Sequence, residues 1–172
     1  MKIFLAGWMT LLTLTGWCSE NLLTSCRELH FAASDKGKIE LGIRECTGYP
    51  SDAVIRAYQG SFQARLAEFS FNPYTKWSYF NEGRDLLEAA VTSAPENPEI
   101  RFIRLSVQLK APSFLGYTSD IKNDTRSVVN ALQTGWLASD RAFRTKVIDF
   151  LLANVDIDAS TQKKLTQIKH TP

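Results

Sequence analysis

The sequence is poor in the residues that carry most side-chain chemistry. It has three cysteines, two histidines and two methionines among 172 residues. Three cysteines are too few for a disulfide-dense scaffold. No Cys-x-x-Cys, His-Glu-x-x-His, Gly-x-Ser-x-Gly or phosphate-loop pattern occurs, so the common metal, nucleophile and nucleotide signatures are missing. An excess of charge is also lacking. Twenty basic residues stand against 18 acidic ones, for a net charge of +2, and no basic run occurs. That excludes the usual electrostatic footprint of a nucleic-acid binder. After Leu14 no apolar run is long enough to span a membrane. Hydrophobic residues make up 44% and charged residues 22%, which is globular rather than disordered composition.

The one long apolar run is N-terminal. Lys2 precedes Ile3 to Leu14, IFLAGWMTLLTL, and polar Ser19-Glu20-Asn21 follow shortly after. A positive residue and a short apolar core, too short to span, predict a secretory signal peptide over 1–18 and a single domain over 19–172. Gly16 and Cys18 supply the small residues for cleavage after Cys18. A lipoprotein, with Cys18 acylated after cleavage before it, is a second reading that Trp17 disfavours. The expected compartment is periplasmic or extracellular. Loss of Lys2 leaves 19 basic residues against 18 acidic, a near-neutral mature chain.

The rest reads as helices. Leu22, Cys26, Leu29 and Ala33 recur at helical spacing, as do Ile39, Ile43 and Cys46, with a turn at Ser34-Asp35-Lys36-Gly37. In a hairpin turning near Asp35 and Lys36, Cys26 and Cys46 fall opposite each other. In an exported chain they form a candidate disulfide, preferred here over two small buried thiols. Ser51 or Asp52 caps a helix with Val54, Ala57, Tyr58, Phe62, Leu66 and Phe69 inward, and Gly60 and Ala64 offer close approach. A long helix follows from about Tyr74 to Ser93, with Trp77, Phe80, Leu87, Ala90 and Val91 on one face. Later helices are expected over Asp120–Leu132, after Ser139-Asp140, and over Thr161–Lys169.

The stretch from Pro95 to Asp124 organises the rest. Asn97 caps, Pro98 suits the first turn, and Glu99 places negative charge at the positive end of the helix. Ile100, Phe102, Ile103, Leu105, Val107 and Leu109 leave this helix apolar nearly all round, which predicts a central position. Arg101 and Arg104 share a face. Either they clamp an anion, or they pair with carboxylates drawn from Asp85, Glu88, Asp120 and Asp124. The second reading ranks first, because unpaired burial of a guanidinium is costly.

Gly83, Leu87, Ala90 and Pro95 stand at the small, large, small, proline spacing of the second helix of a tetratricopeptide repeat, and Pro98 onward resembles the first helix of the next. With Tyr58, Gly60, Pro73, Lys76, EIRFIRL and PSFLGY, the stretch from about Asp52 to Leu132 is similar to a group of small exported helical proteins of Bacteroidetes with tetratricopeptide-like character. The resemblance implies fold and compartment and carries no catalytic residue. The expected fold is all-α, an array of antiparallel helix pairs resembling a degenerate tetratricopeptide-like (TPR-like) domain.

Two functions follow. The first is a non-catalytic exported scaffold that binds a peptide, protein or envelope component through a groove between helices. Tyr74, Trp77, Phe114, Tyr117 and Trp136, near element ends, with Arg101 and Arg104, are its candidate binding residues. The alternative is a small hydrolase or transferase with a site around Glu99, Arg101, Arg104 and Asp124. No cofactor, metal, nucleic acid or membrane span of the mature chain is expected. His30 is read as exposed on the first helix, and His170 has no sequence partner for catalysis.

Overall fold

The computed structural model describes residues 11–32 and 34–171, with side chains described from Glu20 onward. Most of the leader read over 1–18, the Cys18 side chain and Ala33 therefore lie outside the described residues. The described chain is all-α, with no strand. Its helices are α1 (Leu11–Ala32), α2 (Lys36–Thr47), α3 (Ala53–Arg65), α4 (Pro73–Ser93), α5 (Pro98–Lys110), α6 (Ile121–Gln133), α7 (Arg141–Asn154) and α8 (Ala159–His170). Single 3-10 turns at Leu66–Phe69 and Ser113–Leu115 follow α3 and α5. Within the described residues α1 is already helical at Leu11, about three turns before Leu22.

Local chemistry sets most boundaries. The side chains of Asp35, Asp52, Asn72, Asn97, Asp140 and Asp158 each accept from backbone N–H groups of the first turn that follows. Pro73 and Pro98 occupy the first turn, where no N–H is missed. The helix expected from Asp120 starts at Ile121, with Asp120 at the cap position, where its side chain makes no cap bond.

The closest packing joins α3 to α4. A Cβ on Gly83 would lie 2.4 Å from Ala64 N and 2.5 Å from Gly60 O, and one on Gly60 would lie 2.7 Å from Gly83 O. Only glycine permits two backbones to approach this far. Leu87 and Ala90, both fully buried, fill the same contact further along α4. At the other end of α4 the expectation fails. Trp77, read as part of the buried face, is 65% exposed. It stands near the start of α4, opposite the end of α3, where the chain narrows to the 3-10 turn.

The α5 helix is central. Ile100, Phe102, Ile103 and Leu105 are fully buried. Phe102 meets His30 and Phe31 of α1 and Phe143 and Phe150 of α7, in ring contacts of 5.4–6.3 Å. The helix also packs on α3, α4 and α6. Cys26 and Cys46 face each other across α1 and α2 as buried free thiols, with Sγ atoms 3.4 Å apart. Their contact and burial push the Cys46 thiol pKa up.

Candidate functional site

Two ion networks account for most buried charge. Arg104 forks onto Asp124, with Nε to Oδ2 at 2.7 Å and Nη2 to Oδ1 at 2.8 Å, and its Nη1 donates to Glu88 at 2.9 Å. Arg101 Nη1 donates to Asp124 Oδ1 at 2.9 Å. Tyr117 Oη donates to Glu88 Oε1 at 2.6 Å. Burial and then this hydrogen bond push the Tyr117 phenol well above its usual range. Burial opposes the Arg104 charge, but the Asp124 hydrogen bonds and the surrounding carboxylates hold it more firmly than in water.

Glu99 belongs to the other network. It accepts from Arg27 Nε at 2.9 Å and Nη2 at 2.6 Å and from Tyr58 Oη at 2.7 Å. Arg27 also reaches Asp140, the cap of α7, at 3.0 Å, and lies 4.4 Å from the centre of the Phe143 ring. The four residues of the expected enzymatic site are thus divided. Arg101, Arg104 and Asp124 join α5 to α6, whereas Glu99 ties α5 to α1 and α3. All are consumed in pairs.

The concave site lies elsewhere. A cavity of about 550 Å³ opens where α1, α3, α4, α5 and α7 meet the two 3-10 turns. Its walls include Ala64, Phe80, Val107, Leu115 and Phe150. Trp77 and Phe114, 65% and 85% exposed, line it on the solvent side. Phe71 and Tyr74, almost wholly exposed, precede Trp77 by one to two turns. Trp77 and Phe114, large and exposed at one opening, are what a binding surface presents.

His30 lines the cavity and is buried at 9% exposure, so its expected surface position is corrected. Its ring contacts Phe31, Tyr58 and Phe102. Ser106 Oγ donates to Ile103 O at 2.7 Å, which leaves that oxygen to accept from His30 Nε2–H at 3.2 Å. The unprotonated Nδ1 then accepts from Ser61 Oγ at 3.1 Å. The relay of Ser61, His30 and Ser106 is closed on itself. Burial, reinforced by the Arg65 and Lys110 charges, pushes the His30 imidazole down to about 3.

Of the residues expected to bind, Trp77 and Phe114 line this cavity and Tyr74 stands a turn from Trp77. Arg101, Arg104, Tyr117 and Trp136 do not line it. The arginines and Tyr117 are held in the Asp124 and Glu88 network, and Trp136 packs edge-on against Phe143 at 6.4 Å. Sequence reasoning missed Ser61, His30 and Ser106, which come from three helices with no shared spacing. Among the described residues no cluster of His, Cys, Asp and Glu suits a metal, and no helix is long and apolar enough to cross a membrane. No protein-family model, curated protein or solved structure matches the chain.

Proposed function

We propose that this chain is a non-catalytic binding module that takes an apolar part of a peptide, protein or envelope component into the cavity between α1, α3, α4, α5 and α7. One observation carries the reading: a cavity of about 550 Å³, within the range of small-ligand sites, is bordered by exposed Trp77 and Phe114. The polar groups inside argue for binding over chemistry. Ser61 is fully buried, and a His30 pushed down to about 3 is too weak a base to activate it. The Arg101, Arg104 and Asp124 cluster is saturated by its own pairs, which disfavours the hydrolase or transferase alternative.

The test is occupancy. A neutral apolar dye such as N-phenyl-1-naphthylamine should bind with enhanced fluorescence. Ala67→Trp, placed on the half-buried cavity wall, should abolish binding while the melting temperature stays near wild type. Equal dye binding by both proteins would remove the cavity from the reading.

Export belongs to the same proposal. The Lys2, Ile3–Leu14 and Ser19 order supports cleavage after Cys18 and a periplasmic or secreted mature chain. N-terminal mass analysis should find a chain beginning near Ser19. An acylated Cys18 would establish the lipoprotein form, and an intact Met1 in cytosolic protein would refute export. The tetratricopeptide likeness is likewise proposed. It is supported by Gly83, Leu87 and Ala90 of α4 lying against α3, as a repeat's second helix lies on its first.

A further inference from the structure

The cavity has a charge pattern as well as apolar walls. Arg65, Lys76 and Lys110 stand on its lining against one acid, Glu68. Elsewhere the buried and half-buried cations Arg27, Arg101 and Arg104 are each consumed by carboxylates. Lys76 and Lys110 differ. Both are exposed at the cavity, and neither has an ion-pair partner among the described residues. Positive charge beside a low-dielectric cavity concentrates anions at that opening.

The buried hydroxyls and imidazole of the wall make no matching polar demand. The Ser61, His30 and Ser106 relay satisfies itself and ends on the Ile103 carbonyl. An extended peptide would carry its own N–H and C=O groups against Phe80, Val107, Leu115 and Phe150, which cannot pair them. A hydrocarbon chain brings no such groups. Trp77 and Phe114 supply flat apolar surface where a chain would leave the cavity for water.

Resting on the binding reading above, we infer that the ligand is a single-chain anionic amphiphile of the long-chain carboxylate class. Its hydrocarbon chain fills the cavity and its head group is held by Lys76 and Lys110. Apolar area drives the binding and the lysines select the sign of the head.

The experiment uses the purified protein loaded with neutral N-phenyl-1-naphthylamine. Octanoate, decanoate, dodecanoate and dodecyltrimethylammonium compete for it below their micelle concentrations. Dodecanoate should displace the dye, with affinity rising about fourfold for each added methylene. Dodecyltrimethylammonium should compete roughly tenfold more weakly. The double variant Lys76→Glu, Lys110→Glu changes two exposed side chains, so it should fold and keep the dye. Its preference should invert toward the cationic amphiphile. Dye binding with no preference for head-group charge, or a preference unmoved by the charge reversal, overturns the anionic ligand and leaves the cavity a binding site. Displacement by an amphipathic peptide and not by dodecanoate overturns it in the same way. Binding of neither dye nor dodecanoate by the wild-type protein overturns both readings.

Discussion

Arg104→Ala should destabilise the fold by about 3–5 kcal/mol, the cost of breaking a buried pair by removing one partner. The structure sets the size of the effect. Asp124 is fully buried and the Arg104 side chain is 4% exposed. Removing the guanidinium takes two hydrogen bonds from Asp124 and leaves it with Arg101, whose side chain is 20% exposed. The lost contact to Glu88 adds little, because that carboxylate is 42% exposed and well solvated. A chain of this length shifts by roughly 2–4 °C per kcal/mol, so the melting temperature should fall by on the order of 10 °C. Arg101→Ala should cost only about 1 kcal/mol, since its partner keeps the Arg104 fork. Replacing both charges, Arg104→Met with Asp124→Leu, should recover most of the loss, because the fully buried carboxylate is gone and Arg101, 20% exposed, can turn to water. Thermal melts and urea titrations followed by circular dichroism, without ligand, read all four proteins. If Arg104→Ala and Arg101→Ala both melt within about a degree of wild type, the pairing does not hold α5 to α6 and an anion-binding role takes its place.

Three further outcomes are expected. Gly83→Ala should cost at least about 2 kcal/mol, because the new methyl meets backbone of α3, whereas Gly48→Ala, with nothing within 4 Å, should be near neutral by urea midpoint. A Gly83→Ala protein as stable as wild type would refute the close approach. His30 ties stability to acid: its folded pKa of about 3 lies below the unfolded value of 6.5, so the unfolded chain takes up the proton first. Its contribution is complete above pH 6.5, is lost as pH falls toward 3, and amounts to about 2–3 kcal/mol at pH 4.5. His30→Gln should flatten the acid limb of a stability–pH profile relative to wild type, and parallel limbs would refute the burial. In exported protein Cys26 and Cys46, with Sγ atoms 3.4 Å apart, should be found linked by non-reducing peptide mapping, the 20-residue loop adding about 3 kcal/mol. Two alkylatable thiols after unfolding without reductant would exclude the bridge.

What the sequence determined by itself was local. Asn97 was readable as a cap, and Asp52 and Asp140 each as one of two adjacent candidates, because a cap acts on N–H groups two or three residues away. The burial of α5 was readable from its apolar circumference, and the need of its arginines for carboxylates followed from that burial. Gly60, Ala64 and Gly83 marked a close contact because small residues at helical spacing have few other uses.

Tertiary structure decided the rest. Arg27 meets Glu99 across 72 residues of chain, and no spacing rule reaches that far. Helical periodicity states which residues share a face, but it does not state how far a neighbouring helix covers that face. Trp77 is therefore on the buried stripe by pattern and 65% exposed in fact, and His30 is buried although its position resembled a surface one. The cavity depends most on assembly. It is the space left where five helices and two short turns meet, and its volume is set by their separations and crossing angles. Those quantities exist only once the helices pack, so Ser61, His30 and Ser106 become neighbours in the fold and nowhere in the sequence.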